Sequence, residues 1–187
     1  AWQRAGQAQL TEKSIGQTAL PLLGRTILDT LALYVDYGVA ALYVRAQSQS
    51  DLLRVATYGG GKLDNQEEQV FDSTESLVGQ AAFSNRLIHL QQLPEDYFPK
   101  GLTIKSGLGS SAPTHLVMVP TEQDGLANGV LELGFLRTPT PRELGFLTLI
   151  ASNIGSILES ALARQRLQKV LEETQQLNEE LQVQQEE

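Results

Sequence analysis

The sequence of 187 residues contains no cysteine, and its acidic residues outnumber its basic ones. Because cysteine is absent, the chain forms no disulfide, no thiolate metal site and no thioether bond to a chromophore. The formal net charge of −8 argues against nucleic acid as a partner, since phosphate binding needs a concentrated basic surface. The longest apolar run, Gly38 to Val44, is far shorter than the roughly 20 residues of a membrane helix, so we expect no membrane insertion in this segment.

The composition that remains is that of a folded domain. Hydrophobic residues make up 41% of the chain and charged residues 19%, which is ordinary for a soluble globular protein. The length suits one domain of roughly 100 to 150 residues with extensions. Pattern changes divide the chain into an N-terminal helix or linker at residues 1–17, a globular domain at residues 18–163 and a helical extension at residues 164–187.

Helical spacing of apolar residues predicts two helices near the N-terminus. Residues 1–16 are weakly amphipathic and start without an N-cap, which favours a helix that continues from an upstream segment. A second helix is predicted from Thr18, as its N-cap, to Tyr34, with Pro21 in the first turn. Its apolar residues recur at spacings of three and four, so one face should be buried.

A longer helix is predicted near the C-terminus. Thr140, Pro141 and Glu143 form a capping box with proline at the first helical position. A helix from Thr140 to Glu187 would have about 48 residues and extend roughly 70 Å. Beyond Arg164 its broad apolar stripe narrows to a seam that is typical of a coiled coil, so we expect a homodimer through this helix. The seam residues are Leu167, Val170, Thr174, Leu177 and Leu181.

Alternating apolar and polar residues between these helices predict two antiparallel hairpins. The predicted elements are the hairpin strands Gly38–Arg45 with Leu52–Tyr58 and His115–Thr121 with Asn128–Leu136, a short helix at Ser76–Ser84 and a strand at Leu87–Gln91. Residues 92–114 are rich in proline, glycine and serine, which predicts a long loop or a loop with one small helix. Long loops in compact domains commonly carry function.

This order of elements, together with five strings of sequence, resembles the GAF family of small-molecule sensor domains over about Thr18 to Leu162. The strings are GVAALYV at Gly38–Val44, SLVGQAA at Ser76–Ala82, VMVP at Val117–Pro120, NGVLELG at Asn128–Gly134 and the helix from Leu144 to Ile157. The resemblance implies an α+β, profilin-like or PAS-like fold. It has an antiparallel sheet of five or six strands, helices on one face, and signalling helices at both ends.

The resemblance also implies a ligand cavity on the other face of the sheet, beneath the loop of residues 92–114. The chain departs from two subgroups of the family, because it has no cysteine for a covalent bilin and lacks the Asn-Lys, Phe and Asp-Glu pattern of cyclic-nucleotide GAF domains. We therefore expect no covalent cofactor. The candidate ligand-binding residues are Tyr97, Phe98, Ser106, Ser110, His115 and Glu132.

Three of these candidates have alternative roles in the sequence interpretation. Tyr97 and Phe98 suit the tethering of a loop to the core as well as the lining of a cavity. Glu132 lies between Leu131 and Leu133 on a predicted strand and therefore faces opposite to both. If that face is the cavity, Glu132 can bind a cationic or hydrogen-bonding ligand, and otherwise it is half-exposed or paired with an arginine.

The two histidines of the chain, His89 and His115, are too far apart in sequence to form a metal-binding motif. Glu132 or Asp96 would have to complete such a site. We therefore predict roles at strand ends or at the surface for both histidines, and no metal site.

The functional prediction is a regulatory sensor in a larger signalling protein, of the kind found in two-component sensor histidine kinases. The segment itself is expected to be no enzyme, while the full-length parent would carry the kinase. Its partners would be a second copy, through the terminal helices, and adjacent domains of the parent. We expect a cytoplasmic location, with a parent that can be anchored in the inner membrane.

One alternative remains open at this stage, and a second is excluded by the composition. A GAF fold whose cavity is filled by its own side chains would act as a dimerising spacer. An enzyme similar to free methionine sulfoxide reductase would share the fold, but that chemistry resembles thiol catalysis and the chain has no cysteine.

Overall fold

The computed structural model describes residues 1–17, 19–45, 51–59, 70–72, 76–93 and 103–186. In chain order the elements are α1 (Trp2–Ser14), α2 (Leu20–Leu31), β1 (Val39–Arg45), β2 (Asp51–Tyr58), β3 (Val70–Asp72), α3 (Leu77–Ser84), β4 (Ile88–Leu90), β5 (Ile104–Ser106), β6 (Gly109–Ser111), β7 (His115–Gln123), β8 (Leu126–Phe135) and α4 (Pro141–Glu186). The predicted α+β fold is confirmed.

Six of these strands form one antiparallel sheet in the order β3-β2-β1-β8-β7-β4, while β5 and β6 form a separate hairpin. The two predicted hairpins, β1 with β2 and β7 with β8, are confirmed. They join where β1 pairs with β8 at the centre of the sheet. Both central strands are almost continuously apolar and buried, as strands covered on both faces should be.

Side chains of the central strands alternate between two apolar layers, because successive residues of a strand point to opposite faces. Leu42 and Leu131 lie in the layer that also contains core residues of α1, α2 and α4, and we call this side of the sheet the helix face. Tyr43 and Val130 lie in the layer beneath α3, and we call this side the α3 face. Three helices thus share one face as predicted, while the short α3 covers the opposite one.

The helix α1 packs against α2 and α4. Leu10 is fully buried in the helix-face core. Trp2 packs against Phe146 of α4 with ring centroids 4.8 Å apart, and the Arg142 guanidinium lies over the Trp2 ring, 4.3 Å from its centroid. The core therefore includes α1, although the sequence pattern divides the chain at residue 17.

The helix α2 begins at Leu20, with Ala19 as its N-cap and no side-chain capping hydrogen bond. The predicted N-cap position is therefore wrong by one residue, and Thr18 itself lies outside the described residues. Pro21 occupies the first turn, where the missing N–H of proline leaves no helical hydrogen bond unmade.

The predicted capping box at the start of α4 is confirmed. The Glu143 N–H donates to Thr140 Oγ1 at 3.2 Å, and the Thr140 N–H donates to Glu143 Oε1 at 3.0 Å. Arg137 adds a two-pronged pair to the same carboxylate, with both N···O distances 2.7 Å. Reciprocal capping and the ion pair together hold the first turn of α4 against the end of β8.

The helix α4 runs for 46 residues and changes its environment along the way. Phe146, Ile154 and Leu158 are fully buried on the helix face, and the last buried residue is Ala161. One stretch of α4 is long and apolar enough to cross a membrane by length and composition. In that stretch 44% of the residues are buried, and the buried apolar side chains of α4 belong to the helix-face core.

Two features of the strands differ from the sequence prediction. The short strand β3 pairs with β2 at the sheet edge, in a segment where the sequence predicted no strand. Between β4 and β7, where the sequence predicted a loop or a loop with one small helix, residues 104–111 form the β5-β6 hairpin, and residues 94–102 lie outside the described residues. The strands β3, β5 and β6 are defined by pairing with a neighbour and were not recognised in the sequence, whereas β4, which is equally short, was predicted.

Candidate functional site

Glu132 lies on the α3 face of the central strand β8. Its register partners are Ala41 on β1 and Met118 on β7, both of which are buried in the α3-face layer. Leu131 and Leu133 point to the helix face, so the predicted alternation around Glu132 is confirmed. The carboxylate is thus set in an apolar layer at the middle of the sheet, on the face opposite α1, α2 and α4.

Two polar side chains from neighbouring strands meet Glu132, and we call these three residues the carboxylate cluster: Tyr43, Arg54 and Glu132. The Tyr43 hydroxyl donates to Glu132 Oε1 at 3.1 Å. Arg54 is the register partner of Tyr43 across a bulge between β1 and β2, and it interacts with both Tyr43 and Glu132. One acid, one phenol and one guanidinium therefore lie together in an otherwise apolar layer.

Burial determines the protonation behaviour of this cluster. It raises the pKa of the Glu132 carboxyl, while the Tyr43 hydrogen bond and the charge of Arg54 counteract the rise. Burial also raises the pKa of the Tyr43 phenol well above its ordinary value, and the charge of Glu132 adds to this. Tyr43 consequently stays a hydrogen-bond donor at neutral pH, and Glu132 can accept a further donor or a cation.

Two elements border the α3 face around the cluster. The helix α3 packs against β7 and β8, and its first turn is capped by Ser76, whose hydroxyl accepts from the Gly79 N–H at 3.0 Å. The β5-β6 hairpin is tied to the same face by Ile104, which packs against Gly38 and the α3-face layer. This is the side of the sheet on which the family resemblance implies a ligand.

The predicted serines of the long loop lie on the β5-β6 hairpin. Ser106 and Ser110 are exposed. The Ser106 hydroxyl accepts from the Leu108 N–H at 3.1 Å and donates to the Gly109 carbonyl at 3.4 Å, so it stabilises the hairpin turn. Tyr97 and Phe98 lie outside the described residues. A ligand-binding role for these four residues stays a prediction.

His115 is placed away from Glu132. It pairs in register with Phe135, whose side chain belongs to the helix-face core, so His115 lies on the opposite face from the carboxylate cluster. Its ring faces that of His89 on β4, with centroids 5.6 Å apart. The structure therefore brings the two histidines to each other and separates them from Glu132.

Sequence reasoning missed Tyr43 and Arg54. Tyr43 lies inside the apolar string Gly38–Val44 and looks like a core residue, and Arg54 looks like one polar residue of an alternating strand. Their meeting with Glu132 depends on the pairing of β1 with both β2 and β8. The available signal was the tyrosine hydroxyl, because a buried phenol requires a partner.

A second polar contact connects the sheet to α4. On the helix face, Thr121 Oγ1 donates to Asn128 Oδ1 at 2.8 Å, and Asn128 Nδ2 donates to the Gly155 carbonyl at 2.7 Å. A Cβ placed on Gly155 would lie 1.9 Å from the Glu122 carbonyl oxygen, so α4 touches the backbone of β7 here. The asparagine thus holds the middle of α4 to the same strand, β8, that carries Glu132.

The predicted coiled-coil residues all lie on the part of α4 that extends beyond the core. Leu167, Val170, Thr174, Leu177 and Leu181 are exposed in the single chain. Leu177 is 60% exposed, and so is Val183, which lies on another side of the helix. An apolar seam of this kind is the surface that a partner helix covers in a coiled coil.

Comparison with protein families identifies the domain. A family model described as GAF domain matches residues 17–159. No curated protein sequence matches the chain.

Several solved structures share the fold. The GAF domain of a phosphoenolpyruvate-protein phosphotransferase from Coxiella burnetii has a TM-score of 0.68 at 16% identity, over 88% of this chain and 96% of that one. The GAF domain of A. aeolicus nlh2 in an inactive state has a TM-score of 0.62 at 14% identity, over 84% and 96%. Free methionine-R-sulfoxide reductase from Neisseria meningitidis, in complex with its substrate, has 0.58 at 16% identity, over 85% and 91%. These identities show a shared fold alone.

Proposed function

Because the chain belongs to the GAF domain family, we propose that it is a regulatory sensor module of a larger signal-transduction protein of the two-component sensor histidine kinase type. In this proposal a small ligand at the α3 face, or strain from a neighbouring domain, changes how the sheet packs on α4. The projecting part of α4 forms a dimeric coiled coil and carries the change to an output domain.

The observation that carries the proposal is the double role of α4. Its first half, through Ala161, is buried as a core element, and its second half projects with an exposed apolar seam. One continuous helix of 46 residues therefore joins the sheet to a surface suited to a second copy. A helix is stiff enough to transmit a rotation or a shift over such a length.

The contacts of β8 supply a route from the ligand face to this helix. Glu132 lies on the α3 face of β8, and Asn128 on the same strand points to the helix face and holds the Gly155 carbonyl. A displacement of β8 at Glu132 would therefore reach α4 through one strand and one hydrogen bond. A ligand changes such an equilibrium only by binding one of the two packings more tightly.

The chemistry of the carboxylate cluster favours a ligand with an ammonium, amidine or amide N–H group. Glu132 offers a carboxyl oxygen as a hydrogen-bond acceptor in an apolar layer, where burial raises its pKa and an added hydrogen bond is stronger than in water. Arg54 can donate to an acceptor on the same ligand, while the Tyr43 proton is held by Glu132. The GAF fold is shared with a reductase, but a thiol-based reaction is excluded for this chain because it has no cysteine.

The dimer is tested with two matched variants. Leu177→Lys places a charge in the seam, whereas Val183→Lys places the same charge at a residue of equal exposure, 60%, outside the seam. We expect sedimentation equilibrium to show a dimer for the wild type and Val183→Lys, and a shift towards monomer for Leu177→Lys. A monomeric wild type, or equal effects of both variants, would count against dimerisation through α4.

The ligand is tested by thermal unfolding against a panel of small amines, amidines and amides, on the wild type and on Glu132→Gln, with Glu180→Gln as a control on the exposed part of α4. A compound that raises the unfolding temperature of the wild type and Glu180→Gln, but not of Glu132→Gln, supports a sensor. Hydrogen exchange in α4 should then change on binding. The alternative, a ligand-free dimerising spacer, is favoured if the chain dimerises and no compound has an effect.

A further inference from the structure

The histidine pair on the helix face lies at an edge of the sheet, away from the carboxylate cluster. His89 on the edge strand β4 pairs in register with Val117, and His115 is two residues from Val117 on β7. Residues two apart on a strand share a face, so the two imidazoles are diagonal neighbours across one strand pair. Their ring centroids are 5.6 Å apart and their planes are inclined by 42°.

Each ring has one buried nitrogen whose hydrogen-bonding capacity is unused. Within the described part of the chain, His89 Nε2 and His115 Nδ1 find no hydrogen-bond partner. A buried polar atom without a partner is unfavourable and uncommon in folded proteins, so such atoms require an explanation. The two atoms lie on neighbouring rings, an arrangement in which one metal ion would accept a lone pair from each.

Thr138 orients one of the rings. His115 Nε2 lies 3.3 Å from Thr138 Oγ1. When Nε2 carries the proton and donates it to the threonine oxygen, the lone pair of His115 is on Nδ1, the nitrogen that is buried and unpaired. Histidines that bind metals commonly donate their second ring N–H to an oxygen in this manner, which fixes the tautomer and the ring orientation.

The spacing of the rings suits one metal ion between them. A metal bound at about 2.1 Å from an imidazole nitrogen lies roughly 3.2 Å from the ring centre. If the metal is equally far from both ring centres, which are 5.6 Å apart, the angle between its two bonds to nitrogen is about 120°. That angle is near the tetrahedral value of about 109° that zinc prefers.

We propose that His89 and His115 form a two-histidine binding site for a divalent transition metal ion of the zinc class, with Thr138 as the positioning residue for His115. The remaining coordination positions are open to water or to an external ligand. Imidazole nitrogens suit Zn²⁺, Cu²⁺ and Ni²⁺, whereas Mg²⁺ and Ca²⁺ prefer oxygen.

The position of the site connects it to α4. Thr138 lies in the segment between β8 and the capping box of α4, two residues before Thr140. A metal ion held by β4 and β7 would therefore brace the edge of the sheet beside the start of the long helix. The sequence argued against a metal site because the histidines are distant along the chain, and the antiparallel pairing of β4 with β7 removes that objection.

The test uses the full chain without a histidine tag, because a variant with both histidines replaced then contains no histidine and no cysteine. Zinc binding is measured by isothermal titration calorimetry for the wild type, His89→Gln, His115→Gln and the double variant. We expect one Zn²⁺ per chain in the wild type and a loss of at least about tenfold in affinity in each single variant. Circular dichroism checks that all variants are folded.

A second measurement separates a two-histidine site from adventitious binding. The Cu²⁺ form of the wild type should show electron paramagnetic resonance couplings to two imidazole nitrogens, and each single variant should show one. Thr138→Val should keep the stoichiometry and weaken zinc binding by about tenfold, because the ring of His115 loses its orienting contact. Unchanged affinity in Thr138→Val would remove the positioning role.

The proposal is overturned if the wild type takes up no zinc, or if the double variant binds it as tightly as the wild type. A stoichiometry of one zinc per two chains would also overturn it, since the ion would then join separate molecules. None of these outcomes depends on the seam variants, so the metal site and the sensor proposal are tested independently.

Discussion

Replacement of Gly155 by alanine tests the contact between α4 and the sheet. The added Cβ would lie 1.9 Å from the Glu122 carbonyl oxygen and 2.7 Å from the Glu122 nitrogen. Since a backbone cannot yield as a flexible side chain does, α4 must move away from β7. Overpacking of this kind costs about 1 to 3 kcal/mol. The same movement weakens the buried hydrogen bond from Asn128 to the Gly155 carbonyl, and an unsatisfied buried group costs about 1 to 3 kcal/mol more.

These losses oppose a gain in helix propensity. Alanine is favoured over glycine inside a helix by about 1 kcal/mol, so Gly155→Ala should lower the free energy of unfolding by a net amount of about 3 kcal/mol. Gly145 is the matched control, because it lies in the same helix and a Cβ there meets nothing within 4 Å. Gly145→Ala should therefore stabilise the protein by about 0.5 to 1 kcal/mol.

The opposite signs of the two effects are measured by urea unfolding, followed by circular dichroism at one protein concentration. A fixed concentration is needed because dimerisation adds to the apparent stability. The unfolding temperature of Gly155→Ala should fall by about 6 to 12 °C, at about 2 to 4 °C per kcal/mol for a chain of this length. If Gly155→Ala stabilises the protein as Gly145→Ala does, the contact of α4 with the β7 backbone has been misinterpreted.

Three further predictions concern the cap of α4 and the carboxylate cluster. The hydrogen bond from Arg137 lowers the pKa of Glu143 to about 2. The stability that this carboxylate contributes is therefore complete above pH 4.5 and is lost as the pH falls towards 2. The free energy of unfolding of Glu143→Gln should depend less on pH in this window than that of the wild type, and an unchanged pH dependence would contradict the assignment. Thr140→Ala should lose about 1 kcal/mol of stability through the missing N-cap, and equal unfolding free energies in urea for Thr140→Ala and the wild type would refute the role of the cap. Tyr43→Phe should raise the pKa of Glu132 further, because the Tyr43 hydrogen bond lowers it, and carboxyl titration by NMR would reject this if the pKa stayed or fell.

Most of the helices and strands could be predicted from local patterns in the sequence. The Thr140, Pro141 and Glu143 box marked the start of α4 correctly, since a capping box is formed by residues within one turn. The two main hairpins were equally readable, because strand alternation and the intervening turns lie in short stretches of chain. Elements without such a local signal were missed, namely β3 and the β5-β6 hairpin.

The candidate sites depended on contacts across the sheet. The face of Glu132 could be predicted relative to Leu131 and Leu133, because alternation is a property of one strand. The register that brings Tyr43 and Arg54 to Glu132 is a property of three strands, and no periodicity within one strand reports it. For the same reason the sequence could not place the side chain of His115, which was a candidate for the same ligand site as Glu132. Its pairing with Phe135 puts it on the helix face, opposite Glu132.

The sequence by itself determined the family, the order of the main elements, the absence of thiol chemistry and the presence of an apolar seam along the end of α4. These properties depend on composition, alternation and helical spacing, which are features of residues close together along the chain. Tertiary structure decided which side chains meet. The pairing of β1 with β8 assembled the carboxylate cluster, and the pairing of β4 with β7 brought together the two histidines of the chain. Both sites arise from contacts between residues distant along the chain, and only the folded sheet determines those contacts.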